Sequence, residues 1–444
     1  MVSGVSDATH AMGTRALWET QPVTDKAKQD VAAPIFVQSG KSEFPELDQW
    51  EQVGEDEARM AYEMTLRNEL SGGTQTVRDF EARWRERCGC KYALTTLNGT
   101  TALYSAFFGL KVGPGDEVIC PVYTWICTIS PVPFLHATPV FAESDPETMM
   151  LDPEDVRRRI TPRTRAIVAV HLWGWVCDMD ALMEISRETG VPVIEDCSHA
   201  HGAIYKGRPV GSIGQAAAWS LQGSKPVSAG EGGVVATNDP EVFDRVAMIG
   251  QVNRVAGLDL QTPAYQRHQP LGTGMKFRAH PLGIGVASVQ LDKLDELNRR
   301  RTAYVEEVEA GLADVPGLRP VPTYPGTQRG GFYGLPTHYC ADELGGVPQS
   351  AFVKALREAG VKVGGGYGLL HQLPYFAEGF DLFGHGRGPL CGDYKGYRDG
   401  DFPVTEKMHA NLVFLPILSD PVPGAAAQVL ERIRSVAEHA DQIA

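Results

Sequence analysis

The sequence contains no uninterrupted apolar run of about 18 residues, the length that a membrane-crossing helix requires. Paired Cys-x-x-Cys motifs are also missing. The eight cysteines are scattered, with a single Cys-x-Cys at Cys88 and Cys90, so nothing points to a zinc ribbon and reduced, mostly buried thiols are expected. Positive charge is in deficit: 41 Lys and Arg stand against 55 Asp and Glu, a formal net charge of −14. That balance opposes attraction to phosphate backbones and anionic lipid, so neither nucleic acid nor a membrane is an expected partner. The opening Met1-Val-Ser-Gly-Val-Ser-Asp has neither the basic nor the apolar region of a signal peptide, and the expected location is the cytoplasm.

What is present describes a folded chain. Hydrophobic residues make up 43% and charged residues 22% of 444 positions, and at roughly 100 to 200 residues per domain that length accommodates two or three structural units. Residues 1–54 alternate polar, proline and acidic stretches without sustained periodicity and read as an N-terminal extension. From Glu55 the pattern is helical until Ser71-Gly72-Gly73, and a second helix follows with Val77, Phe80 and Trp84 on one face.

Short apolar runs then recur at Tyr92 to Leu97, Val118 to Val122, Pro139 to Ala142, Ala166 to Leu172, Val191 to Ile194, Ala216 to Leu221 and Gly233 to Thr237. Several are separated by helical segments, among them one after Asp152-Pro153 and another from Met179 to Thr189 closed by Gly190. The pattern predicts a wound α/β domain with a mainly parallel sheet over residues 55–290. A long helix from about Leu282 to Leu312 leads into a smaller C-terminal α+β domain, residues 291–444. There a strand at Leu318 to Val321, a helix at Gln349 to Ala359 and a final helix from Gly424 to about His439 are expected.

Three segments fall where strands give way to helices, the place where an open α/β sheet binds ligands. Leu97-Asn98-Gly99-Thr100-Thr101 is a glycine turn into a small-residue helix, suited to holding an anion or simply to joining strand to helix. Val193-Ile194-Glu195-Asp196-Cys197-Ser198-His199-Ala200-His201 ends an apolar strand in carboxylates; it reads as a helix cap, as a site acid, or as a His-x-His metal pair lacking an identifiable further ligand. In Ser220-Leu221-Gln222-Gly223-Ser224-Lys225 and the glycine-rich stretch to Gly233, a lysine sits among small residues that let another molecule approach the backbone. Together they supply an anion cradle, a carboxylate and an amine, the parts that pyridoxal 5′-phosphate needs.

With the combination Asn-Gly-Thr-x-Ala-Leu, Glu-Asp-x-x-His-Ala-x-Gly and Ser-x4-Lys-x4-Gly-Glu-Gly-Gly, the sequence resembles the DegT/DnrJ/EryC1/StrS family of sugar aminotransferases over about residues 55 to 444. The resemblance implies a fold type I enzyme dependent on pyridoxal 5′-phosphate, with no metal. It implies Lys225 as the lysine that forms the Schiff base and Asp196 as the partner of the pyridine nitrogen. By the same matching, His199 lies near the phenolic oxygen, Gly99, Thr100, Thr101 and Ser220 hold the phosphate, and Trp125 stacks on the pyridine ring. Where much of the family has Gly-x-Asn-x-Arg, contributed by the neighbouring subunit of a homodimer with shared active sites, this chain has Gly274-Met275-Lys276-Phe277-Arg278. Lys276 thereby replaces the asparagine toward the cofactor phosphate or a substrate anion.

The implied reaction is transfer of an amino group from glutamate or glutamine to a keto sugar or ketocyclitol, of the kind used in aminosugar and aminocyclitol antibiotic biosynthesis. Two alternatives stand beside it: a dehydratase or aromatising synthase of the aminohydroxybenzoate type, and a noncatalytic regulator that binds the cofactor. Relatives that deoxygenate sugars characteristically carry histidine in place of the lysine, so Lys225 speaks against that class.

Overall fold

Strands whose side chains are covered on both faces must be apolar throughout, and the seven apolar runs of the sequence are the seven strands of the central sheet. In the computed structural model, which describes residues 46–364 and 366–443, these are β1 (Tyr92–Thr96), β2 (Glu117–Pro121), β3 (Thr138–Ala142), β4 (Thr164–Val170), β5 (Val193–Asp196), β6 (Ala216–Ser220) and β7 (Gly233–Thr237). Their order across the sheet is β1-β7-β6-β5-β4-β2-β3, in this numbering. The pairs β2/β3, β2/β4, β4/β5 and β5/β6 are parallel. Only β7 runs against the others, antiparallel to both β1 and β6.

Local chemistry sets the helix limits. The helix Gln75–Cys88 starts at Thr74, whose side chain accepts from the Val77 N–H, and stops at Gly89, whose φ of 68° is left-handed; Val77, Phe80 and Trp84 are buried as their spacing predicts. Asp152 caps Pro153–Arg159, and Asp178 with Gly190 brackets Met179–Thr189. The long helix spans Pro281–Gly311, capped by the His280 side chain with proline at its first position, and buries Ile284, Leu291, Leu294, Tyr304 and Val308 along one stripe. Beyond it, β8 (Leu318–Pro320), β9 (Leu335–Tyr339) and β10 (Leu412–Leu415) form an antiparallel sheet with β9 in the middle, joined by the helices Gln349–Glu358 and Ala425–Glu438.

Residues 1–45, most of the expected N-terminal extension, lie outside the described residues. From Glu46 to Gly54 the chain is fastened to distant parts of the fold: Leu47 is buried, and the Asp48 carboxylate accepts from the N–H groups of Ser419 (3.1 Å) and Asp420 (2.6 Å). All eight cysteines are unbridged and five are buried. No helix among the described residues is long and apolar enough to cross a membrane.

Candidate active site

The carboxyl ends of the parallel strands surround a cavity of about 260 Å³. Helix Gly99–Gly109 points its first turn into it, and Asn98 builds that turn: its side chain accepts from Thr101 N (2.9 Å), while Thr101 Oγ1 accepts from Asn98 N (3.1 Å). The N–H groups at the start of a helix have no intrahelical acceptor, which suits this turn to hold an anion. Glycine is required there by space. A Cβ on Gly99 would lie 2.8 Å from the Ser220 Cβ, and one on Gly233 would lie 2.4 Å from the Asn98 carbonyl oxygen. Gly99, Thr100 and Ser220 all line the cavity; Thr101 does not, because its N–H and hydroxyl are turned into the cap.

Asp196 ends β5, buried, with its oxygens held apart: Oδ2 accepts from Thr128 Oγ1 (2.8 Å) and Oδ1 from Ser198 N (3.1 Å). Lys225 lies on the same cavity, in the loop between β6 and β7. Its backbone carbonyl accepts from Gln52 Nε2 at 2.7 Å, and Gln52 rests in turn on Gln290 of the long helix. Burial pushes the Lys225 amine down to about 7 against the pull of Asp196 and Cys127, so near neutrality it exists in both protonation states. An amine so poised serves as either acid or base.

His199 is buried among aromatic rings. Its Nδ1 accepts from the Trp173 N–H (3.2 Å), which leaves the proton of a neutral ring on Nε2, facing the Tyr367 hydroxyl at 3.3 Å. Burial and the nearby Lys225 hold its pKa well below the ordinary histidine range, so the ring is neutral. Trp125 lines the cavity with its ring 5.2 Å from that of Tyr367. Lys276 is exposed, bridges Gln251 through its backbone, and is not among the residues lining its own chain's cavity.

The two histidines of His199-Ala200-His201 do not converge: His201 is buried beside Trp84, with ring centroids 6.0 Å apart. A different trio, His171, Glu195 and Cys197, has metal-ligand proximity, but its atoms already serve the backbone. Glu195 accepts from the N–H groups of Gly211, Ile213 and Gly214, and His171 Nε2 lies 3.1 Å from it. The acid beside Asp196 thus fastens a loop.

Residues that the sequence reading did not single out complete the cavity: Tyr333, Tyr367, Thr128 and Gln222. Glycines flank two of them in sequence, and for Tyr333 the reason is steric. A Cβ on Gly330 would lie 2.5 Å from Ala203 N, and one on Gly331, whose φ is +75°, would lie 2.4 Å from the His199 carbonyl oxygen. Replacing Gly331 with alanine is expected to destabilise the protein by about 1 to 3 kcal/mol, read as a lower thermal midpoint, because it adds both left-handed strain and a backbone clash. An unchanged midpoint would contradict that packing.

A mainly parallel sheet, a helix-turn anion site, a buried carboxylate and a poised lysine define a fold type I enzyme of pyridoxal 5′-phosphate. A model described as the DegT/DnrJ/EryC1/StrS aminotransferase family matches residues 51–434, and the chain belongs to that family of cofactor-dependent aminotransferases. It is 34% identical over 334 residues to L-glutamine:scyllo-inosose aminotransferase of Streptomyces griseus, covering 70% of this chain and 75% of that protein. Among solved structures, an aminotransferase from Psychrobacter cryohalolentis superposes with a TM-score of 0.78 at 28% identity, over 89% of this chain and 100% of the other. The 3-amino-5-hydroxybenzoic acid synthase structure gives 0.73 at 27% identity, over 88% and 99%.

Proposed function

We propose that this aminotransferase moves an amino group from L-glutamine or L-glutamate to the ketone of a cyclitol or sugar ring, with a ketocyclitol as the preferred acceptor. The observation that carries the chemistry is one cavity lined by Lys225, Asp196 and the first turn of helix Gly99–Gly109. The acceptor reading is supported by the likeness to the scyllo-inosose enzyme, and by Trp125 and Tyr367, whose ring faces suit the C–H faces of a saturated ring.

The cavity fits pyridoxal 5′-phosphate: the close approach that Gly99 permits leaves a cradle for phosphate beside Thr100 and Ser220, and Asp196 offers a carboxylate to the pyridinium. In this reading Lys225 would hold the cofactor through its amine, Trp125 would pack against the ring and neutral His199 would face the phenolic oxygen. The bound cofactor supplies a carbonyl for amine exchange and an electron sink for the substrate α-carbon.

The chain's own contribution is positioning and proton transfer. Thr128 and Ser198 fix Asp196 so that it presents charge without rotating. Lys225 Nζ takes the α-proton of the donor as a free amine and returns it as an ammonium, two roles that a pKa near 7 allows at neutral pH. Lys276 acts on the site of the partner subunit in a homodimer.

The donor half-reaction tests the class. Mixing the cofactor-loaded protein with L-glutamine or L-glutamate should release a stoichiometric 2-oxo acid, and no release from either would support a noncatalytic binder. Ketocyclitols and nucleotide-linked keto sugars should then be offered in turn; turnover with the nucleotide-linked compounds alone would overturn the acceptor. A mixed dimer of Lys225→Ala and Lys276→Ala chains has one site with both lysines and one with neither, so it should regain activity if both parents are dead. Dead mixed dimers from dead parents would place Lys276 in its own chain's site.

A further inference from the structure

Lys225 Nζ stands over the ring of Tyr333, 3.6 Å from its centroid, nearer than the usual limit for a cation–π contact. The same ring stacks on His199, with centroids 4.2 Å apart and planes 25° from parallel. The amine and the imidazole thus both lie against the phenol ring. We propose that Tyr333 is a positioning residue for the catalytic lysine, the ring face under Nζ being the seat to which the Lys225 ammonium returns whenever Nζ carries a proton and no covalent bond. The proposal rests on the reading of Lys225 given above.

The ring is held as a seat should be. Ser224 Oγ lies 2.6 Å from Gln222 Oε1, an acceptor only, so the serine hydrogen is committed there; the Tyr333 hydroxyl, 2.8 Å from Ser224 Oγ, must therefore donate. At its other end, Tyr333 N donates to the Trp173 carbonyl (3.1 Å), Gly331 N donates to Asn298 Oδ1 (2.9 Å), and buried Arg301 donates to the Gly331 carbonyl. Backbone and hydroxyl are thus constrained and the ring is stacked on His199, so the seat loses little freedom when the ammonium arrives.

Among the described residues lining the cavity, Tyr333 is the aromatic ring that Nζ stands over. Asp196 attracts the ammonium but is pinned by Thr128 and Ser198, and its place is at the strand end. His199 and His201 are held neutral by burial, Tyr367 keeps its proton for the same reason, and Cys127 and Glu231 complete the ionisable surroundings. A buried ammonium is stabilised by a partner that does not itself change charge, and an aromatic face is one.

Competitive acetylation of the full-length, cofactor-stripped protein with acetic anhydride across pH, followed by peptide mass analysis, reads the titration midpoint of Lys225 itself. In Tyr333→Leu the midpoint should fall by about half to one pH unit, the size of a partly desolvated cation–π contact. Tyr333→Phe keeps the face and should restore a midpoint within a few tenths of the wild type. If the leucine variant does not fold, Tyr333→Met provides the same comparison. A leucine or methionine midpoint equal to wild type overturns the proposal, as does a phenylalanine midpoint that falls as far as theirs, which would assign the effect to the hydroxyl. Borohydride reduction of the cofactor-loaded wild type is the separate control: label on another lysine defeats the reading of Lys225 without touching the acetylation result.

Discussion

Lys225→Ala should give a folded protein that binds its cofactor without a covalent bond and whose steady-state turnover is lower by about a thousandfold or more. In the proposed reaction the side chain has two tasks, carrying the cofactor and carrying the proton, and it is the only lysine among the described residues lining the cavity. Removing an amine that burial already disfavours in its charged form spares the fold a desolvated cation, so collapse of the structure is not the expected cause of the loss. Two measurements separate the tasks. Borohydride should attach cofactor to Lys225 in the wild type and to nothing in the variant, and a small added amine should recover part of the proton-transfer rate. Full multiple turnover in the variant, or a wild-type label at another lysine, would remove Lys225 from the mechanism.

The second large effect belongs to Asp196. Asp196→Asn keeps the shape and can keep an acceptor oxygen for Thr128, so cofactor should remain bound. An amide carries no charge to set against a pyridinium, however, and the electron sink weakens when the ring nitrogen loses its proton. The expected loss of rate is on the order of a hundredfold or more, by analogy with the removal of other preorganised electrostatic groups. Near-normal turnover in a folded, cofactor-loaded Asp196→Asn variant would show that the carboxylate is a structural cap for Ser198 and nothing more.

The sequence made the sheet legible because its strands are buried on both sides: runs such as Ala166 to Val170 leave no alternative to burial. The long helix was equally plain, with proline at its start and a sustained apolar stripe. β9 was hidden by Pro336, which sits in the middle strand of its sheet opposite Phe414, where a missing N–H argues against pairing. Of the cavity lining, the residues legible in the sequence were those that strand ends deliver: the Asn98 turn after β1, Trp125 after β2, Asp196 and His199 at and just beyond the end of β5, and Ser220 and Lys225 at and just beyond the end of β6. Tyr333 and Tyr367 come from the C-terminal part of the chain and reach the cavity only through tertiary packing. Thr101, matched to the phosphate turn in the sequence, has its hydroxyl engaged in the helix cap. Lys276 has its proposed role in another chain, and geometry within one chain has no bearing on it.

Gln52 reaches 173 positions along the sequence to the Lys225 carbonyl, and Asp48 reaches 371 positions to Ser419. Contacts of that span are rewarded only after the intervening chain has been closed into loops. During synthesis the segment around Asp48 is among the first of these residues to leave the ribosome, yet Ser419 does not exist until 371 further residues have been added, roughly 20 to 75 s later at about 5 to 20 residues per second. The Asp48 contact therefore closes only after Ser419 has been made, whereas Gln52 and Lys225 are both present 173 residues after Gln52, so a nascent chain stalled short of Ser419 can hold the Lys225 loop through Gln52 while the Asp48 segment beside it is still unfastened.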